Sequence, residues 1–281
     1  MSIIYAVRDS DRYIYHYTSA EKATKFILKD RTLLLNRFSC TNDPKESKEW
    51  KMIPFTMQEN PGDDFSEGKL PREIATKLKS SAYLSCFCSD LPGLTGDHVR
   101  DILMRGLARP RMWAQYADNH RGFCLVFDKQ VLLKKISEQL QDIDILQGPV
   151  SYIDRSWLNR LDPHAFRVEY DQLVEIGIEA YCLLHMRRHA KELYFDKLRD
   201  WRDECEWRVV VLDPNKAPPL IRFEEALVGV IHGDGTSEGH SMAAISLTPE
   251  WSIEHTGLRW QNHCPWYDLG NAMWLNRATV D

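Results

Sequence analysis

The chain has 281 residues, of which 43% are hydrophobic and 27% are charged, and its formal net charge is −5. This composition is ordinary for a globular protein and excludes a largely disordered chain. Proteins that bind nucleic acid through bulk charge are usually basic, so any phosphate contact here must come from a local basic patch.

Two further exclusions concern membranes and disulfides. The sequence contains no run of about eighteen apolar residues, and its N-terminus lacks the basic start and long apolar core of a signal peptide. The seven cysteines are an odd number and fit no common zinc spacing. We therefore predict a cytoplasmic protein with no membrane contact, no disulfide framework and no metal site.

One large domain is predicted over residues 1–281, because the length suits a single domain and no linker marks a boundary. Its core covers about residues 13–235, and residues 236–281 form an aromatic-rich C-terminal extension. The large aromatic side chains of this extension are Trp251, Trp260, Trp266, Tyr267 and Trp274. They favour core packing, with contacts to a partner as the alternative.

The first predicted elements are a strand, a helix and a second strand. Residues 13–18 are rich in aromatic and β-branched types, which predicts a strand. Ser19 is a typical N-cap, and the apolar spacing after it predicts a helix that ends at about Lys29. Residues 32–36 predict another strand, and residues 41–44 favour a turn.

Strands and helices continue to alternate through the middle of the chain. Glycine, proline and acidic residues predict an exposed loop at residues 58–70. Apolar patterns predict helices at residues 71–80 and 129–141, a short helix or turn at residues 111–117, and strands at residues 82–88, 122–127 and 150–153. The longest helical signal covers residues 166–201, with Leu173 in its apolar stripe.

The last predicted strands cover residues 206–212 and 227–232. A turn is expected at residues 213–215, and a flexible glycine-rich loop at residues 233–239. Because strands and helices mix without a strict β–α–β rhythm, the sequence predicts an α+β fold rather than a doubly wound parallel sheet.

Two polar motifs in the N-terminal part have both a structural and a functional interpretation. His16 and Thr18 flank Tyr17 in the first strand and share one face, because side chains alternate along a strand. They are either a half-exposed strand face or a pair that hydrogen-bonds a ligand. The run from Asn42 to Glu46 is either a turn with an N-cap or a ligand-binding loop.

Two later motifs also have both a structural and a functional interpretation. Trp113 and Tyr116 are three apart on a short helix, which is typical of core packing but would also suit a wall that stacks on a planar ring. Glu204 and Glu206 lie two apart at the start of a strand, so both carboxylates can project to one side. They are either a solvated strand edge or a catalytic pair, since adjacent like charges are costly unless one is compensated.

A basic run precedes the two glutamates. Its members include Arg187, Arg188, Lys191, Arg199 and Arg202. Such a run is usually a solvated helix face. In an acidic protein, beside candidate catalytic carboxylates, it also predicts a local anion-binding surface for nucleic acid or for the pyrophosphate of a dinucleotide.

The order of these motifs resembles the bacterial family named domain of unknown function 2971. The resemblance covers roughly residues 13–235 and rests on five motifs: Tyr15-His16-Tyr17-Thr18, Asn42-Asp43-Pro44-x-Glu46, Trp113-Ala114-x-Tyr116, Gly122-Phe123-Cys124-Leu125-x-Phe127 and Glu204-x-Glu206-Trp207-Arg208. The family name carries no activity, so a functional expectation must come from elsewhere.

A looser resemblance is to mono-ADP-ribosyltransferases, in which an early-strand His or Arg holds the NAD ribose and a late-strand Glu is catalytic. This resemblance implies a split β-sheet core with surrounding helices, with Glu206 as the catalytic carboxylate and Glu204 orienting the acceptor. The implied NAD-binding residues are His16, Tyr17, Thr18, Asn42, Tyr83, Ser85, Trp113 and Tyr116. The Ser-Thr-Ser run typical of these enzymes is absent, and Tyr83 or Ser85 is its nearest match.

The leading hypothesis is an NAD-dependent mono-ADP-ribosyltransferase that modifies nucleic acid, as a bacterial toxin or phage-defence effector with a protein antitoxin. NAD is its substrate, and the basic run would contact the acceptor. One alternative is a metal-dependent nuclease or phosphodiesterase that uses Asp43, Glu46, Glu204 and Glu206. Another is a non-enzymatic nucleic-acid-binding or protein-binding module that uses the aromatic extension.

Overall fold

The computed structural model describes residues 7–57, 59, 68–154, 163–213, 219–250 and 252–268. Helices and strands mix along this part of the chain, and the α+β prediction is confirmed. Most of the predicted loop at residues 58–70, most of the turn at residues 213–215, and the side chains of Trp251 and Trp274 lie outside the described residues.

The described strands have two to eight residues each. They are β1 Tyr13–Thr18, β2 Thr32–Leu34, β3 Asn36–Arg37, β4 Ile53–Phe55, β5 Ala82–Ser89, β6 Phe123–Asp128, β7 Asp144–Pro149, β8 Ser151–Ile153, β9 Arg167–Glu169, β10 Asp196–Leu198, β11 Glu206–Leu212, β12 Leu220–Arg222, β13 Leu227–His232, β14 Glu254–Gln261 and β15 Cys264–Asp268. The strands predicted at residues 13–18, 82–88, 122–127, 206–212 and 227–232 are confirmed to within one residue at each end. The strand predicted at residues 32–36 is divided into β2 and β3.

The helices include several short and irregular turns. The α-helices are Ala20–Lys22, Leu28–Asp30, Pro44–Ser47, Lys69–Ser80, Pro110–Tyr116, Lys129–Gln139, Tyr170–Ile176, Ile178–Arg188 and Glu238–Leu247. A π-helical turn, Ala23–Ile27, joins the first two into one helix over residues 20–30, and another covers Lys191–Phe195. The 3-10 segments are Phe38–Cys40, Ile102–Met104, Gly106–Ala108, Pro163–Phe166, Arg199–Glu204 and Glu224–Ala226.

The single helix predicted over residues 166–201 is wrong. This region contains β9, two helices that meet at Gly177, a π-helical turn, β10 and a 3-10 segment. Gly177 has a φ of 79°, a conformation that glycine adopts readily and that interrupts a helix. β10 forms because it pairs in parallel with β8, a contact far away in sequence that helical periodicity does not reveal.

Within the described residues, nine strands form one main sheet in the order β15-β14-β13-β6-β1-β5-β11-β7, with β3 beside β5. The neighbours are antiparallel except for β13 and β14, which run parallel. β14 and β15 therefore continue the sheet beyond residue 235, where the core was expected to end. Trp260 and Tyr267 lie on these two strands, half-buried beside the core.

The main sheet opens between β1 and β5. These strands share only two register pairs, the second of which joins Tyr15 to Cys88. Further along β5, the neighbouring strand is β3 instead. In the gap, Nδ1 of His16 donates a hydrogen bond of 3.1 Å to the carbonyl oxygen of Cys86. A side chain thus replaces the strand ladder at the centre of the sheet.

The two faces of the main sheet are covered differently. One apolar cluster covers the first face, under helices at residues 20–30, 129–139 and 238–247. Two separate clusters cover the second face. One packs the helices at residues 69–80 and 178–188 on β5 and β11, and the other packs residues 102–117 on β1, β6 and β13. The boundary between these two clusters crosses β5 at Cys86 and β11 at Arg208.

The described part of the chain contains no helix with both the length and the apolar character needed to cross a membrane.

A buried histidine pair joins β13 to β14. Nε2 of His232 lies 3.0 Å from Nδ1 of His255, and the outer nitrogens contact the hydroxyls of Ser241 and Thr248. Burial, aided by the neighbouring His255, lowers the pKa of His232 to about 3, and burial lowers the pKa of His255 to about 4. Both rings are therefore neutral in the folded protein at neutral pH.

This pair should make the protein less stable in mild acid. An unfolded histidine has a pKa of about 6.5, so below that pH the unfolded chain binds more protons than the folded one. The free energy of unfolding should then fall as the pH decreases, with the two rings contributing about 2.7 kcal/mol per pH unit between about pH 5.5 and 4.5. Urea denaturation across this range measures the slope.

The matched variant for this measurement combines His232→Asn with His255→Gln. It keeps polar side chains at both positions but removes the titrating rings, so its slope should be smaller by most of that amount. An equal slope in the variant and the parent contradicts the assignment.

Candidate functional site

The boundary between the two apolar clusters of the second face is filled by polar and charged side chains. This polar seam consists of Asn42, Glu46, Tyr116, Lys197, Glu204, Glu206 and Arg208. The five charged members are at most 5% exposed. Buried charges are stable only when they are paired and hydrogen-bonded. Contacts within the seam pair all five, although the carboxylate of Glu46 has an ion pair to Arg208 and no hydrogen bond among the described residues.

Arg208 lies at the centre of the polar seam and is completely buried. Its guanidinium pairs with both carboxylate oxygens of Glu206, and Nη2 lies 2.5 Å from Oε1 of Glu46. Nη1 donates to the carbonyl oxygen of Tyr194 at 2.7 Å. An arginine suits this position because its planar guanidinium can donate to several acceptors and stays protonated.

Lys197, on β10, joins the two glutamates. Its Nζ lies 2.8 Å from Oε2 of Glu204 and 2.8 Å from Oε2 of Glu206. Burial alone would raise the pKa of Glu206, but the charges of Arg208 and Lys197 outweigh it and hold the pKa at about 2. Burial alone would lower the pKa of Lys197, but the carboxylates, Glu206 first, raise it. Glu206 is thus an anion at neutral pH and cannot act as a proton donor.

The two glutamates are brought together by a backbone turn, which corrects the expectation that both lie on one strand. Glu204 ends a 3-10 segment, and Cys205 has a φ of 45° in the left-handed region. Only Glu206 belongs to β11. This conformation is uncommon for a residue with a side chain, and it points Glu204 towards Lys197 although strand alternation does not place it there.

Glu204 is the carboxylate with a connection to the surface. The hydroxyl of Tyr116 donates to Oε1 of Glu204 at 2.8 Å, and Nδ2 of Asn42 donates to that hydroxyl at 2.7 Å. Tyr116 is half-buried and Asn42 is exposed. Burial and the charge of Glu204 raise the pKa of Tyr116, so its hydroxyl stays protonated. A ligand at Asn42 would therefore reach Glu204 by displacing one hydroxyl.

The turn that carries Asn42 and Glu46 is held by its own caps. Asp43 is buried, and its carboxylate accepts a hydrogen bond of 2.9 Å from the backbone N–H of Lys45. Nζ of Lys45 donates to the carbonyl oxygens of Glu192 at 2.7 Å and Asp196 at 2.5 Å. Asp43 is thus the N-cap, as one interpretation predicts. Asn42 before it and Glu46 after it belong to the polar seam.

The polar seam has more carboxylates than cations. Glu46, Glu204 and Glu206 contribute three carboxylates, and the only cations paired with them among the described residues are Lys197 and Arg208. Counted over these ion pairs, the carboxylates exceed the cations by one, while Lys45 and Lys79 also act electrostatically on Glu46. The excess lies in a region shielded from water, where it acts strongly on any nearby positive charge.

Four of the predicted NAD-binding residues do not join the polar seam. Glu206 and Cys88 are register partners, as are Cys88 and Tyr15, so these side chains lie on the second face. Strand alternation then puts the other side chains of β1 and β5 on the first face. These are His16, Thr18, Tyr83 and Ser85. A pocket with both His16 and Glu206 on one open face is therefore not formed.

Two more of these residues belong to the core of the second face. The indole of Trp113 is completely buried, donates to the carbonyl oxygen of Leu107 at 2.7 Å and packs edge-on against Tyr17. The hydroxyl of Tyr17 donates to the carbonyl oxygen of Gly106 at 2.6 Å. Trp113 is thus not a ligand-stacking wall. Of the predicted NAD-binding residues, Asn42 and Tyr116 are those that the polar seam brings together with the two glutamates.

The predicted basic surface is exposed but largely paired with acidic side chains. Arg187 lies 2.6 Å from Asp144, Lys191 lies 2.9 Å from Asp196, Arg199 lies 2.9 Å from Asp154, and Arg202 lies 3.8 Å from Asp203. Arg188 lines a cavity of about 100 Å³ together with three histidines. These residues are spread over two helical segments and a 3-10 turn, so the basic surface does not lie on one helix.

Sequence reasoning missed Lys197, which the structure places against both glutamates. Its only sequence signal is a position in the basic run, where it is indistinguishable from the solvated lysines and arginines. Cys86 was also missed, although it is the half-exposed residue of an otherwise mostly buried strand. Within the described ranges, no three histidine, cysteine or acidic side chains are placed to hold a metal ion, and the seven cysteines are free.

The structure defines a mixed α+β protein with a buried charged cluster under one face of its sheet. Residues 112–209 match the family described as protein of unknown function (DUF2971). This match supports the family resemblance over about a third of the chain, which includes the Trp113, Gly122 and Glu204 motifs but not those at Tyr15 and Asn42. No curated protein and no solved structure was found to match the chain.

Removing the central guanidinium should unfold the protein far more readily than removing a surface one. Arg208→Met leaves Glu46 and Glu206 buried without their main partner, so we expect a loss of about 3–5 kcal/mol in the free energy of unfolding. Chemical denaturation of both proteins at neutral pH measures this loss.

The same substitution at Arg187 is the matched control. Arg187 pairs with Asp144, but both side chains are substantially exposed. Arg187→Met should therefore cost no more than about 1 kcal/mol. Equal losses at the two positions would show that the polar seam does not support the fold.

Proposed function

We propose that this protein is an NAD-dependent mono-ADP-ribosyltransferase and that the polar seam is where the nicotinamide–ribose bond is cleaved. The observation that carries the proposal is the excess negative charge of the polar seam, connected to the surface through Tyr116 and Asn42. Cleavage of that bond builds positive charge on the ribose, as in glycoside hydrolysis. A preorganised anion stabilises such a transition state as the charge develops.

The two glutamates take different roles in this proposal. Glu204 is the carboxylate that faces the ribose, because its partner Tyr116 is half-buried and can give way to a ligand hydroxyl. Glu206 keeps the polar seam negative, and Arg208 and Lys197 hold it in place. This reverses the order suggested by the sequence, in which Glu206 was the catalytic residue and Glu204 the helper.

The gap between β1 and β5 gives further support. His16 is half-buried in the gap and bonds to the backbone of Cys86. The thiol of the same Cys86 hydrogen-bonds to Glu206. His16 and Glu206 thus approach one residue from two sides of β5, although their side chains lie on opposite faces.

Nucleic acid is the proposed acceptor, because exposed basic side chains lead into the polar seam. Arg199 and Arg202 lie on the 3-10 segment that ends at Glu204. Their acidic partners are exposed, and exposed ion pairs are weak enough for phosphate groups to replace them. A role as a toxin or phage-defence effector, with an antitoxin protein, remains part of this proposal.

The test uses purified full-length protein with NAD and labelled RNA, DNA and protein acceptors. We expect release of nicotinamide and transfer of ADP-ribose to nucleic acid. Glu204→Gln keeps the size of the side chain but removes its charge, so the rate should fall on the order of a hundredfold or more. Tyr116→Phe should also change the rate, because it removes the hydroxyl that donates to Glu204.

Glu179→Gln is the matched control, since Glu179 is an exposed glutamate that pairs with Lys77 and does not belong to the polar seam. Its rate should equal that of the parent, and thermal denaturation should show that every variant is folded. If folded parent protein neither releases nicotinamide nor transfers label, the proposal fails. Nucleic-acid cleavage that needs no NAD and stops with a chelator would instead favour the nuclease alternative.

A further inference from the structure

Three arginines with buried guanidinium nitrogens lie on the second face of the sheet or beside it, and one of them differs from the others. Arg105 pairs with Asp90 at 3.0 Å and donates to the carbonyl oxygen of Val7. Arg208 is saturated within the polar seam. Arg109 makes no ion pair within the described ranges, and its Nε and Nη2 atoms are buried without a hydrogen-bond partner.

The unpartnered atoms of Arg109 form one edge of its guanidinium. Nε–H and Nη2–H on that edge are parallel donors, the arrangement with which arginine binds a carboxylate or phosphate through two hydrogen bonds. A buried cation without an acceptor destabilises the fold. Leaving a charged donor without a hydrogen bond costs more free energy than leaving a neutral donor without one. The orientation of this free edge therefore calls for an oxyanion.

The titratable neighbours of Arg109 do not supply that anion. Three groups interact with Arg109: the thiol of Cys88, which hydrogen-bonds to the Arg109 side chain, the thiol of Cys205 and the hydroxyl of Tyr17. Burial raises the pKa of each of these groups, so all three are neutral at neutral pH. None of these three groups therefore compensates the positive charge of Arg109, which makes no ion pair among the described residues.

Arg109 lies at the end of the polar seam. It directly precedes the helix Pro110–Tyr116, which carries Tyr116, and its neighbour Cys205 is the residue between the two glutamates. Arg109 and Cys205 are both half-buried, so part of each residue reaches the surface while the free edge itself is buried. The polar seam thus has a negative part at Glu204 and a separate, unpaired positive charge at Arg109.

We propose that Arg109 binds a phosphate-type oxyanion, and specifically the pyrophosphate of the dinucleotide substrate, through the free edge of its guanidinium. This deepens the proposed function and rests on it for the identity of the dinucleotide. With the pyrophosphate at Arg109, the ribose extends towards Tyr116 and Glu204. Arg109 is then a binding residue that orients the substrate, and Glu204 is the residue that acts on it.

The experiment titrates inorganic pyrophosphate into full-length protein and follows binding by calorimetry and by the Nε–H resonances of ¹⁵N-labelled arginine. Titration with potassium chloride at equal ionic strength separates binding from screening. We expect the Arg109 resonance to shift and Arg109→Gln to weaken binding about tenfold or more. Arg109→Lys should be intermediate, because an ammonium keeps the charge but not the two parallel donors.

Arg100→Gln is the matched control, because Arg100 is an exposed arginine that pairs with Asp97 at 3.6 Å. It should bind pyrophosphate as the parent does. Stability gives a second readout. Arg109→Gln should be at least as stable as the parent without ligand, whereas a purely structural role predicts a loss like that of Arg208→Met.

The outcomes separate this inference from the proposed function. If pyrophosphate binding needs Arg109 but the protein does not cleave NAD, the oxyanion site is supported and the proposed transferase activity is contradicted. NAD cleavage with the same KM in Arg109→Gln and parent supports the transferase and overturns the site. Absence of pyrophosphate binding at millimolar concentration, or equal binding by Arg109→Gln, overturns the site as well.

Discussion

Ionised side chains buried where two apolar clusters meet are the constraint on which the second face of the sheet depends. Arg208 cannot lose its charge, so the fold depends on the carboxylates that pair with it. Glu206 and Glu46 come from β11 and from a short helix near the N-terminus, so the ion pairs join parts of the chain that are distant in sequence. Lys197 adds β10 to the same cluster.

This constraint accounts for irregular features nearby. The left-handed Cys205 turns Glu204 towards Lys197, and the short β10 holds Lys197 against both glutamates. The turn before Glu46 is capped by Asp43 and fastened by Lys45 to backbone carbonyls of the neighbouring segment. Each of these features restricts the backbone or moves it away from ideal geometry. Each also helps to supply a partner for a buried charge.

A buried charged cluster does not by itself imply catalysis, since ion pairs of this kind also occur as purely structural elements. Two features favour a site here. Carboxylates outnumber their cations, and the excess is connected to the surface by hydroxyl and amide groups rather than by apolar packing. Close by, Arg109 has a free guanidinium edge. A purely structural network would be expected to pair this cation with the excess anion.

The sequence by itself determined the α+β class, most of the strands of the main sheet and the N-cap at Ser19, because these depend on local periodicity and capping. It also singled out Asn42, Tyr116, Glu204 and Glu206. It failed between residues 166 and 201, where pairing of β10 with β8 overrides helical periodicity. It also failed for β14 and β15, which complete the sheet beyond the expected core.

Only the tertiary structure decided which polar residues meet. His16 and Glu206 both occur in plausible strands, but strand register places their side chains on opposite faces, and register depends on pairing between distant segments. Lys197 and Arg109 look like ordinary surface cations in the sequence. Their roles depend on their neighbours in the folded chain. Only the folded chain determines whether a charge is paired and whether it lies in water or in the protein interior.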